Sequence, residues 1–213
     1  MSNIVNDVVE DYIRHTLKDA DGLLKELEVF AEENSVPIVH KEVSDLLKVL
    51  LKMQKPQRIL EVGCAIGYSS ILFATNCGDD VDITTCERNP VMIERAKENI
   101  KRAGFENNIR ILEGDAVEQL KNVEGEFDMI FLDAAKGQYK LFYDLVIDKL
   151  KVGGVLISDN ILYKGMIASD DLVVRRKKTI VKRMRNYLDY ICNCEYLTTS
   201  LLPMGDGVAI SYK

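Results

Sequence analysis

The residues best suited to chemistry in this chain fall at the ends of short apolar runs. Residues 59–70, ILEVGCAIGYSS, pass from an apolar run through a glycine-spaced loop into a helix-like pattern. Gly63 and Gly67 allow a tight strand-to-helix turn and close approach of the backbone to a ligand. The free N–H groups at the helix start then face that ligand. Glu61 stands where the strand runs out, placed to accept hydrogen bonds from a ligand. The spacing is E-x-G-x-x-x-G, not the G-x-G-x-x-G of dinucleotide-binding folds. By itself it is equally consistent with a strand–helix turn that binds nothing.

Further along, four more apolar runs end in acids or amides: VDITTCE at Glu87, IRILEGDA at Asp115 and Ala116, FDMIFLD at Asp133, and VLISDN at Asp159 and Asn160. Glu87 follows the strand after the glycine loop, where an acid commonly accepts hydrogen bonds from ribose hydroxyls. Asp133, Asp159 and Asn160 supply hard oxygen donors from two strand ends, a set suited to Mg²⁺. No sulfur or imidazole stands beside them, which argues against zinc. Lys136 follows three residues after Asp133 and is a candidate general base; Tyr139 reads as packing. The plain alternative for each is a solvated surface residue.

These groups need a scaffold that brings strand ends together. Strands are expected at 58–62, 81–86, 109–113, 127–132 and 153–158, and helices near 67–76, 90–103, 116–121 and 138–149. Asn89 before Pro90 is a helix-start signature, and Gly104 closes that helix. Alternation of apolar strands with helices predicts an α/β fold, a parallel sheet covered on both faces. Ligands bind such sheets beyond the carboxyl ends of the strands. Two last strands joined through Gly205-Asp206-Gly207 predict an antiparallel hairpin at the edge, for seven strands in all. Before the sheet, helices are expected at 3–18, 21–34 and 41–54, the first with an apolar stripe of Ile4, Val8, Val9, Tyr12 and Ile13, the second capped by Asp21. No Gly/Ser linker sets them apart, so residues 1–55 are read as a helical cover on a single domain spanning 1–213.

At 213 residues and 47% hydrophobic, the chain has the size and apolar content for one α/β domain. It has no apolar run of the ~20 residues needed to span a membrane, and its N-terminus lacks the features of a secretory signal. Five cysteines without framework spacing fit reduced thiols, so a cytoplasmic location is expected. Cys192 and Cys194 are read as same-face packing in a strand-like run rather than as a metal pair. The net charge of −6 argues against nucleic acid, yet residues 175–185, RRKKTIVKRMR, carry seven cations and no anion. In a helix expected over about 171–188, Arg175, Lys178, Lys182 and Arg185 would share one face, with Ile180, Val181, Met184 and Leu188 turned inward.

Taken in order, ILEVGCAIGYSS, CE, GDA, FLDAAKGQY and ISDN resemble the cation-dependent class I O-methyltransferases that use S-adenosylmethionine, of the caffeoyl-CoA and catechol type. The resemblance covers essentially the whole chain. DAAKGQY with the basic run is most similar to the bacterial branch that methylates 5-hydroxyuridine at the tRNA wobble position, giving 5-methoxyuridine. It implies a Rossmann-like methyltransferase fold, often a homodimer. It also implies that Glu61 and Gly63 hold the methionine end of the cofactor, Ser69 its carboxylate, Glu87 the ribose, and Asp115 with Ala116 the adenine. Asp133 would serve metal and cofactor together, Asp159 and Asn160 would complete the Mg²⁺ ligands, Lys136 would be the base, and Val39 would line the cofactor pocket. Lys164, Arg175, Arg176, Lys178 and Lys182 are the candidate substrate contacts. Ala134 and Ala135 replace bulkier or acidic residues of the diphenol-methylating members, which opens the pocket and speaks against a small flat phenol; the basic run with the resemblance favours tRNA. A caffeoyl-type or catechol O-methyltransferase is the alternative, and a non-catalytic cofactor-binding RNA module a remote one.

Overall fold

The computed structural model describes residues 4–78 and 80–213. Three helices come first: α1 (Asp7–Thr16), α2 (Gly22–Asn34) and α3 (Lys41–Gln54). The alternating part then runs β1 (Arg58–Val62), α4 (Tyr68–Cys77), β2 (Asp82–Glu87), α5 (Pro90–Ala103), β3 (Ile109–Glu113), α6 (Ala116–Lys121), β4 (Phe127–Leu132), α7 (Tyr139–Val146) and β5 (Leu150–Ser158). Helix α8 (Lys178–Cys192) leads into β6 (Thr198–Leu202) and β7 (Val208–Tyr212).

The seven strands form one sheet in the order β3-β2-β1-β4-β5-β7-β6. β1 to β5 pair in parallel, while β7 is antiparallel to both β5 and β6. The expected hairpin is therefore present, with β7 inserted beside β5 and β6 forming the edge. The order of strand addition reverses between the parallel neighbours β1 and β4, with β2 and β3 added on one side and β5 on the other, and a crevice opens at such a switch point.

Residue parity in the strands sorts the core into two layers. Ile59, Ile83, Met129, Phe131 and Ile157 pack on the side of α2, α3, α4 and α5, while Leu60, Val62, Ile130, Leu132 and Leu156 pack on the side of α6, α7 and α8. All ten are essentially inaccessible to water, each contributing about 1.5–3 kcal/mol of burial free energy. Buried on both faces, the strands read as continuous apolar runs, which is why they were legible in sequence.

The structure departs from expectation at several places. Helix α1 begins at Asp7 behind an Asn6 cap, and residue 3 of the expected helix lies outside the described residues. No residue of α1 is buried, so the predicted stripe stays solvent-facing, with Val8, Val9 and Tyr12 exposed. Asp21 stands at the N-cap of α2 without a side-chain cap bond. The basic stretch is not one helix over 171–188: Asp170–Leu172 and Arg175–Lys177 form short 3₁₀ turns, and α8 starts only at Lys178. The β-branched pair Val173-Val174 disfavours helix, and so do consecutive cations at the positive end of a helix dipole. Cys192 closes α8 and Cys194 lies beyond it, neither in a strand.

Candidate active site

Strand register brings the chemistry together. Val62 is level with Cys86 and Leu132, and Leu132 with Ser158. The ladder continues one residue further: Gly63 N–H donates to the Cys86 carbonyl (3.0 Å), Asp133 N–H to Val62 (3.0 Å) and Asp159 N–H to Leu132 (3.0 Å). Gly63, Asp133 and Asp159 therefore emerge in a row across three neighbouring strands. Gly63 has φ +96°, and a Cβ there would overlap the Asp133 carbonyl.

Above this row lies a cavity of about 420 Å³. Of the residues singled out in the sequence, Val39, Gly63, Ser69, Glu87, Asp115, Ala116, Asp133, Lys136 and Asn160 line it. Two do not. Glu61 shares strand parity with Ile59, so its side chain enters the layer beneath α4 instead of leaving the strand end; it is fully buried. One of its oxygens accepts from Ser70 Oγ and the other has no partner. Burial pushes its pKa up to about 7. Asp159 is likewise fully buried, below the cavity floor.

The two ends of the cavity differ in polarity. At the β2–β3 end, Glu87 accepts backbone N–H groups from Ala65 (3.0 Å), Arg88 (2.8 Å) and Asn89 (2.8 Å). These bonds fix its carboxylate and leave part of its acceptor capacity for a ligand. Asp115 caps α6 through Val117 N–H (2.9 Å). Cys64 and Cys86 also line this part; burial raises both thiols, Cys86 to about 12, so neither offers a thiolate.

At the β4–β5 end, Asp133, Asp159 and Asn160 interlock. Asn160 Nδ2 donates to Asp133 Oδ1 (2.8 Å), and Asn160 N–H donates to Asp159 Oδ1 (2.7 Å). Asp159 Oδ2 is buried with no hydrogen-bond partner. Burial raises the pKa of both carboxyls, and the Asp133 charge raises that of Asp159 further. Asn160 holds φ +59°, a left-handed conformation that asparagine tolerates better than most residues. Tyr139, buried as expected, donates its hydroxyl to the carbonyls of Asp159 (2.8 Å) and Leu132 (3.2 Å), tying the two strand ends together. A buried, unpartnered carboxylate oxygen beside a second carboxylate and an amide is a donor set that fits a hard divalent cation.

Lys136 is not free at the cavity rim. Its ammonium pairs with Asp206 Oδ2 (2.5 Å) and lies over the Tyr163 ring (4.9 Å). Sequence reading treated Asp206 only as part of a turn; its partner lies 70 residues away, and no local signal marks the pair. Among the candidate substrate contacts, Lys164 donates its backbone N–H to Asp206. Arg175, Arg176, Lys178 and Lys182 are exposed. Arg185 does not join their face: its guanidinium is bonded to the carbonyls of Ile167 (2.9 Å) and Met166 (3.3 Å) and to Asp170 (2.6 Å). Val181, Met184 and Leu188 are buried as expected, and Ile180 is half-buried against Gly137.

A second group of ligand-type residues is Glu10, His40 and Glu42. Arg14 Nη2 contacts all three side chains, so a cation is already in place and the group is an ion-pair cluster that holds α1 to α3.

This arrangement defines an α/β protein with an open, mostly parallel sheet, a ligand crevice at the switch point and a donor set beside it that fits a hard cation. The O-methyltransferase family profile matches residues 14–213, and the chain belongs to that family. It is 30% identical to a caffeoyl-CoA O-methyltransferase of Populus kitakamiensis over 186 residues, 83% of this chain and 77% of the relative. A Staphylococcus aureus crystal structure, provisionally described as a caffeoyl-CoA O-methyltransferase, superposes with TM-score 0.86 at 41% identity over 97% of this chain and 98% of that one. The SAH-bound methyltransferase PaMTH1 of Podospora anserina superposes with TM-score 0.87 at 25% identity, covering 97% and 94% of the two chains. Among the described residues no helix is long and apolar enough to cross a membrane.

Proposed function

We propose that this chain transfers a methyl group from S-adenosylmethionine to one of two neighbouring oxygens of an acceptor, with a divalent cation such as Mg²⁺ held by Asp133, Asp159 and Asn160. The observation that carries the reading is the convergence of those three donors, with Asp159 Oδ2 buried and unpartnered beside the cavity. The cation, when bound, stabilises negative charge on the acceptor oxygen. The glycine turn, Ser69, Glu87, Asp115, Ala116 and Val39 bind the cofactor and orient its methyl towards the Asp133 end. Much of the acceleration then comes from positioning. Lys136 supplies positive charge at the rim; to act as a base it must first open its pair with Asp206.

The acceptor best supported is a caffeoyl-type vicinal diphenol, since the Populus kitakamiensis relative carries that activity in its name. A second reading, 5-hydroxyuridine in tRNA, is favoured by one observation: Arg175, Arg176, Lys178 and Lys182 form an exposed cationic cluster in which, among the described residues, no carboxylate comes within ion-pair distance. Such contacts to a single strand weaken with salt by a log–log slope of roughly −0.7 each.

Methyl-labelled cofactor separates these readings. Caffeoyl-CoA, free catechol and tRNA bearing 5-hydroxyuridine are each supplied with Mg²⁺ or with a chelator. The proposal expects label on caffeoyl-CoA only when the cation is present. Label confined to tRNA would move the acceptor to the second reading. Label that is insensitive to chelation would remove the cation from the account.

A further inference from the structure

Asp206 belongs to the connection between β6 and β7, yet it binds nothing there. Its side chain is largely buried, and its two oxygens face different parts of the active site. Oδ2 holds the Lys136 ammonium and Oδ1 takes the backbone N–H of Lys164. The main chain adds to this: the Asp206 carbonyl accepts from Leu162 N–H (2.8 Å) and the Gly207 carbonyl from Ile161 N–H (3.0 Å). Gly207, at φ +87°, lies so close that a Cβ would overlap the Leu162 side chain.

The segment held in this way is the one that follows Asp159. Asn160, Tyr163 and Lys164 all have positive φ, at +59°, +46° and +57°. Three non-glycine residues in the left-handed region cost of order 1–3 kcal/mol each and persist only where surrounding structure over-determines them. The 203–207 connection is what over-determines them here. The Lys136 ammonium, which lies over the Tyr163 ring of this segment, is fixed by the same carboxylate.

We propose that Asp206 is a positioning residue for methyl transfer: one carboxylate oxygen holds Lys136 at the cavity rim, and the other holds the backbone loop that presents Asn160. The inference rests on the functional reading above, because it assigns Asp206 to the acceptor and cation end of the site. The cofactor end, built on Glu87 and Asp115, shares no bond with Asp206.

Two variants separate its two contacts. Asp206→Asn keeps an oxygen for Lys164 N–H but loses the charge that holds Lys136, whereas Asp206→Ala loses both. Partners one step removed from a reaction centre typically change activity by about 10- to 100-fold, and kcat of Asp206→Asn is expected to fall in that range. Its KM for the cofactor is expected to stay within about 2-fold of wild type. Because the effect runs through Lys136, the double variant Asp206→Asn/Lys136→Met should be no slower than Lys136→Met alone. Hydrogen exchange read without substrate supplies the second arm: protection of the Lys164 amide should fall about 10-fold or more in Asp206→Ala and persist in Asp206→Asn.

The proposal is overturned by Asp206→Asn activity within about 2-fold of wild type, by single-variant losses that multiply in the double variant, or by unchanged Lys164 exchange in Asp206→Ala. If wild type shows no cation-dependent methyl transfer, the functional reading fails, and the exchange arm alone then decides whether Asp206 holds the loop.

Discussion

The two ends of the crevice are built on opposite electrostatic plans. At the β2–β3 end the acids are already satisfied: Glu87 takes three backbone N–H groups and Asp115 caps a helix. At the β4–β5 end two carboxyls are raised by burial and one oxygen is left without a partner. The first end is preorganised by the chain itself and receives a ligand through remaining acceptors. The second gathers two carboxyls and an amide around that unpartnered oxygen, and under the proposed function a divalent cation completes it. The contrast also fits the division of labour in methyl transfer, where one end binds the donor and the other activates the acceptor.

The sharpest way to break the contrast is to remove a donor from the β4–β5 end. Loss of an outer partner costs 10- to 100-fold, and Asp159→Ala removes a direct donor, so kcat should fall by about 1,000-fold or more with cofactor affinity little changed. Parallel measurements of turnover and of cofactor binding by calorimetry check this; equal losses in both would erase the distinction between the ends.

A smaller effect is expected where the two ends meet. Gly63→Ala forces a side chain into the Asp133 carbonyl at a positive φ, and should cost about 2–4 kcal/mol of stability while weakening cofactor binding. Denaturant unfolding with and without cofactor tests it; a variant as stable as wild type would mean that the turn relaxes freely.

A further effect, of similar size, concerns pH. Glu61 is raised from 4.5 to about 7 by burial, so the folded state favours its protonated form. Its contribution to stability is therefore fully present below pH 4.5 and is lost as pH rises through 7, a change of about 3 kcal/mol. Glu61→Gln should flatten that part of the stability–pH curve, measured on cofactor-free protein by urea unfolding between pH 4.5 and 8. An unchanged slope would show that Glu61 ionises freely and is not sealed beneath α4.

Much of this was legible in sequence, for identifiable reasons. Strands buried on both faces announce themselves as apolar runs, and the parallel register sets their last residues level, so acids at the run ends had to share one rim. Glu61 was misjudged in direction because strand parity, not nearness to the strand end, decides where a side chain goes. The exposed stripe of α1 shows that helical spacing does not by itself supply something to pack against. The late start of α8 reflects like charges and β-branched residues that outweigh a helical pattern. Asp206 was invisible because its partner, Lys136, is brought to it only by insertion of β7 next to β5.

The central claim is that Asp133, Asp159 and Asn160 together hold one divalent cation. Titration of Mn²⁺ into cofactor-loaded wild-type protein and into Asp159→Ala, followed by electron paramagnetic resonance, tests it most directly. The account predicts saturable binding of a single ion per chain in wild type that disappears in Asp159→Ala. Absence of saturable binding in wild type, or the same isotherm in both proteins, would contradict it.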